Sequence, residues 1–167
     1  PDRSGVSTEE LLATLPSVEE AGRLAMTYDA FSCVHEGGGN WGELFVMTAR
    51  VCEKCGQHVR ALTYADASLD HPRTPGSTTL PMTRVAMYQV RGRCLASLGR
   101  TADAATAFEA AAELASKHEL FFLEVLALRD FKLHILDAAG HGEHASRRLG
   151  QALRRLRNPE SMSQLLM

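Results

Sequence analysis

Apolar residues return every three or four positions along most of this chain, the spacing of one buried helical face. Leu44, Phe45, Met47, Thr48, Val51, Cys52 and Cys55 form one such stripe, and Val59, Leu62, Ala65 and Leu69 form the next. Val85, Tyr88, Leu95 and Leu98, then Ala104, Ala107, Phe108, Ala111 and Leu114, make two more. No apolar alternation of period two is long enough for a strand, so the pattern predicts an all-α chain of about seven to eight helices.

The punctuation sets the boundaries. Ser7-Thr8-Glu9-Glu10 has the residues of a capping box and predicts a short first helix. Pro16-Ser17-Val18-Glu19-Glu20 repeats the device and opens a second helix to about Val34, carried by Val18, Ala21, Leu24, Ala25, Tyr28 and Phe31. Gly37-Gly38-Gly39-Asn40 then reads as a connector rather than a phosphate cradle, since no Lys-Ser or Lys-Thr follows. Helices are expected over 41–55, 57–69, 83–98, 101–117, 119–138 and 143–157, with Thr101 or the residue before it capping the helix over 101–117. Three prolines and a glycine make 70–82 the longest loop, and Asn158-Pro159 ends the last helix.

A longer period overlies the helical one. Gly56, Gly99 and Gly142 are 43 residues apart, and eleven residues before each stands an aromatic: Phe45, Tyr88 and Phe131. Such a period marks an array of helical repeats. Counting the last copy from Gly142 would put Arg147, Gln151 and Arg154 in the core, whereas Gly140 puts Ala145, Leu149 and Ala152 there. Burying three unpaired polar groups costs several kcal/mol, so Gly140 is the better counterpart.

Tyr88-x6-Leu95-x3-Gly99-x4-Ala104-x3-Phe108-x2-Ala111 resembles the tetratricopeptide repeat (TPR), and Phe45, Cys52, Gly56, Ala61 and Ala65 form a fainter copy with Ser68 in place of the last alanine. The spacing departs from that family's usual 34 residues. The resemblance implies a right-handed α-solenoid of antiparallel helix pairs: an N-terminal cap over 1–41, pairs at 42–69, 83–117 and 119–157, and a tail over 158–167. It also implies a concave groove lined by first-helix residues, including Val46, Arg50, Glu53, Lys54, Gln89, Arg93, Ser97, Asp130, His134 and Asp137. Arg50, Arg93 and His134 take equivalent places in successive pairs and would stack into a cationic stripe suited to an acidic peptide.

Composition narrows the classes. The 167 residues carry a formal charge of −2, which offers no field for gathering nucleic acid. Arg147, Arg148, Arg154, Arg155 and Arg157 are locally basic, but Leu149, Leu153 and Leu156 mark the opposite face as the buried one. No apolar run approaches the roughly 20 residues that span a bilayer, and no leader pattern opens the chain. The initial Pro1 suggests a portion of something longer. Four scattered cysteines point to reduced thiols in an intracellular, cytoplasmic setting.

Candidate chemistry is sparse. Cys52-x2-Cys55-Gly56-x-His58 could present two thiolates and an imidazole to zinc, but a structural site needs four ligands. The core reading of Cys52 and Cys55, at places equivalent to Leu95 and Leu98, is the better one. His141 and His144 lack the spacing of a metallohydrolase helix. Trp41 reads as a buried residue opening its helix. The expected protein is therefore a non-catalytic interaction module or scaffold without a cofactor, binding a protein or peptide. The alternatives are a structural subunit built permanently into a larger complex and, further off, a zinc-binding or enzymatic domain.

Overall fold

A computed structural model describes residues 7–27, 41–70, 81–139 and 142–156. These residues form seven helices and no strand: α1 (Thr8–Thr27), α2 (Trp41–Lys54), α3 (His58–Asp70), α4 (Pro81–Ser97), α5 (Thr101–Lys117), α6 (Phe121–Ala139) and α7 (Gly142–Leu156). The predicted stretch from Tyr28 to Val34, the Gly37–Asn40 connector, most of the proline-rich loop and the tail over 158–167 lie outside the described residues.

Two boundaries are corrected. The capping box is present, with Ser7 Oγ accepting from the Glu10 amide at 3.1 Å and Glu10 accepting from the Ser7 amide at 2.6 Å. The helix it starts nevertheless runs through Pro16 as one piece. Proline there removes one donor and crowds the carbonyl four residues back. Anchors on both sides of it hold the helix down: Leu15 is in the core, while Glu19 binds Arg60 and its carbonyl accepts from Tyr64 Oη. At the other end of the loop, Pro81 is the first residue of α4, a position where a missing N–H leaves no helical bond unmade. At α5 the N-cap is Arg100, the residue before Thr101, and it makes no side-chain bond to the helix.

Short turns join α2 to α3, α4 to α5, and α5 to α6, and all three close the same way. After α2 the Gly56 amide donates to the Glu53 carbonyl and the Gln57 amide to that of Cys52; Gly99 and Arg100 repeat this on Ala96 and Leu95. Gly56 and Gly99 have φ of 73° and 76°, a conformation open to glycine at little cost. The third turn uses Glu119 at φ 58°, with Glu119 and Leu120 bonded back to Ser116 and Ala115. A left-handed glutamate carries no sequence signal of a turn.

Each helix packs on the next, and α4 also touches both α2 and α6. Alanines make this close approach possible: Ala104, Ala107, Ala111, Ala112 and Ala115 of α5 are all buried, as is Ala152 of α7. Ala152 and Leu149 pack inward while Arg147, Gln151 and Arg154 face outward, so α7 follows the count from Gly140. Gly92 is needed for another contact, because a Cβ there would stand 2.6 Å from the Phe108 ring. Met47, Val59 and Leu98, expected on buried stripes, are exposed instead.

Candidate recess on helices α2, α4 and α6

Phe108 fixes the centre of the molecule. Its buried ring lies under Gly92, beside Phe131 at 6.3 Å, and beneath His134, whose imidazole stacks on it at 5.9 Å and 11°. His134 thus has an apolar seat below and solvent above. Around it opens a recess of about 630 Å³ lined by Arg50, Glu53 and Lys54 of α2, His58 of α3, Arg93 of α4, and Arg129, Asp130, Leu133 and His134 of α6.

Arg93 holds this recess together. It makes a two-pronged contact with Glu53, through Nε to Oε1 and Nη2 to Oε2, the latter at 2.9 Å. Its Nη1 donates to Asp130 Oδ2 at 2.9 Å, and Arg129 of α6 donates to Asp130 Oδ1 at 2.8 Å. Every oxygen of the two carboxylates therefore accepts from a guanidinium, and a single arginine joins three helices. Burial works against the charge of Arg93, but Glu53 and Asp130 outweigh it and the pKa is raised.

Several sequence assignments change in this light. Arg50 and His134 are exposed on the recess, yet Arg93 between them is occupied by carboxylates, so the stripe of three free cations does not form. Val46 is only 7% exposed and Gln89 5%; both are buried and neither lines the recess. Asp130, 3% exposed, reaches it only as the partner of Arg93 and Arg129. Lys54 lines the recess, whereas Ser97 is exposed but away from its lining. The side chains of Trp41, Asp137, His141 and His144 lie outside the described residues.

Arg129 and Leu133 were not foreseen. Arg129 stands next to Asp130, a cue that the acid has a local partner, and Leu133 is an apolar residue left 70% exposed beside a predicted groove position.

The described cysteines, Cys52, Cys55 and Cys94, serve packing. Cys52 and Cys94 are fully buried, and burial together with Glu19 pushes the Cys52 thiol up to about 11, while burial and Glu53 push Cys94 up to about 12. Both stay protonated at neutral pH, a poor state for attack or metal binding. The Cys52 thiol faces Glu19 Oε1 at 3.8 Å, whereas His58 lines the recess. Among the described residues no three His, Cys, Asp or Glu side chains group as a metal site, and no helix is long and apolar enough to cross a membrane.

Compared with known proteins, the chain matches no family model, no curated protein and no solved structure.

Proposed function

We propose that this chain is a non-catalytic interaction module of TPR-like architecture, a right-handed α-solenoid that holds a partner protein or peptide in the recess across α2, α4 and α6. Short turns and the succession of α2 on α4 and α4 on α6 support the solenoid reading, since stacked helix pairs bring every first helix against the next. One observation carries the functional reading. Side chains from α2, α4 and α6 converge on one solvent-open recess, tied from beneath by Arg93, with the exposed Leu133 and the cations Arg50 and Lys54 at its surface. A site whose walls are braced by an internal network loses little order on binding. Leu133 adds apolar contact area to a recess otherwise lined mainly by charged and imidazole side chains.

The test is co-purification from the native source of this chain and a triple variant, Arg50→Glu, Lys54→Glu and Leu133→Asp. All three residues are exposed, so the variant should fold. Partners retained by the parent chain and lost by the variant would support the reading; an identical set of partners would refute it.

A further inference from the structure

The charge of the recess is opposite to that of the molecule. The chain as a whole is at −2, yet the recess lining holds four cations, Arg50, Lys54, Arg93 and Arg129, against two carboxylates, Glu53 and Asp130. Those carboxylates spend all four oxygens on Arg93 and Arg129. Arg50 and Lys54 make no ion pair among the described residues. Arg129 is more than half exposed and uses only Nε and Nη2 on Asp130, leaving Nη1 for another acceptor. The uncompensated donors thus come from two helices, Arg50 and Lys54 from α2 and Arg129 from α6, with Leu133 one turn after Arg129 on α6.

We propose that the occupant is an acidic peptide segment of a partner, carrying two carboxylate side chains and an apolar residue next to the second. One carboxylate is held by Arg50 and Lys54, the other by Arg129, and the apolar side chain rests on Leu133. Charge complementarity of this kind speeds encounter and rejects basic segments. The inference rests on the reading of the recess as a partner site and adds the chemistry of what fills it.

Random-peptide display against the purified chain tests both levels separately, followed by anisotropy titration of the enriched peptides on the parent chain, on Arg50→Glu/Lys54→Glu and on Arg129→Gln. Enriched peptides should carry two Asp or Glu side chains with an apolar residue next to one of them. Their amide counterparts, with Asn and Gln, should bind at least tenfold more weakly, as should the Arg50→Glu/Lys54→Glu chain, and affinity should fall as salt is raised from about 50 to 500 mM. Arg129→Gln should weaken binding severalfold and abolish the preference for the second acid. Enrichment of neutral or basic peptides that Leu133→Asp still disrupts would overturn the acidic assignment while leaving the partner site in place. Enrichment of no peptide dependent on Arg50, Lys54, Arg129 or Leu133 would overturn both.

Discussion

Arg93 and Arg155 each reach from one helix to a buried carboxylate on another, but the two sites are finished to different degrees. At the recess, Arg93 meets Glu53 and Asp130, Arg129 completes Asp130, and no carboxylate oxygen is left over. At the joint between α6 and α7, Arg155 donates to Glu124 Oε1 at 2.7 Å and to Ser116 Oγ at 3.1 Å, and its guanidinium lies over Phe121 at 5.6 Å. Glu124 is fully buried and its Oε2 has no partner. A buried pair stabilises only when good geometry and full hydrogen bonding repay the loss of water. The Arg93 ion network meets that condition and the Arg155–Glu124 pair does not, so the first brace should be hard to replace and the second easy.

The largest expected effect is at the complete site. Arg93→Met leaves Glu53 without its guanidinium and takes away the link among three helices; it should lower the unfolding free energy by about 3–4 kcal/mol in a urea titration. A loss below about 1 kcal/mol would show that the network is ornamental. Arg155→Met alone strands Glu124 and should cost about 2–3 kcal/mol. Replacing the whole pair, Glu124→Leu with Arg155→Met, should restore stability to within about 1 kcal/mol of the parent chain or exceed it. A double variant as weak as Arg155→Met alone would erase the contrast.

The turns sharpen the same comparison on a smaller scale. Glu119 leads into α6 in a conformation that costs a residue with a Cβ about 1–2 kcal/mol. Glu119→Gly should therefore raise stability by about 0.5–1 kcal/mol, while Gly99→Ala, at the matched turn, should lower it by about 1 kcal/mol. Equal signs for the two would contradict the shared geometry. The smallest effect is chemical. Cys52 and Cys94 have thiols raised in the folded chain above the unfolded value, so their contribution is intact below about pH 8.5 and declines above it, being lost as pH rises through about 11 to 12. Urea midpoints should fall across that alkaline window, and Cys94→Ala should flatten the decline.

How much of this was legible depended on how local each signal is. The α5 boundaries were readable because its alanines favour helix strongly and Gly99 marks the preceding turn. The turn at Glu119 was legible only as a gap between apolar stripes, since its left-handed residue is not glycine. Pro16-Ser17-Val18-Glu19-Glu20 looks like a helix start because it repeats the capping-box pattern, whereas the burial of Leu15 and the contacts of Glu19 with Arg60 and Tyr64, more than forty residues away, keep the helix continuous. The same holds at the recess. Its register placed Glu53, Arg93 and Asp130 together, but charges of opposite sign at neighbouring places were read as separate groove residues instead of partners for one another. Spacing reports which face a side chain is on, whereas pairing depends on where neighbouring helices bring it. That is why Arg50, Lys54 and His134 line the recess, while Val46 and Gln89 are buried and do not.

Arg93 braces the recess, whereas Arg50 and Lys54, exposed and without an ion pair among the described residues, are the cations that the proposed partner would meet. Isothermal titration of an acidic peptide from the display selection, paired with thermal unfolding of the same samples, separates the two roles. Arg50→Glu/Lys54→Glu should lose at least tenfold in affinity while its melting temperature stays within about 2 °C of the parent, since both residues are exposed and unpaired. Unchanged affinity in that variant, or a melting temperature lowered as far as that of Arg93→Met, would contradict the account.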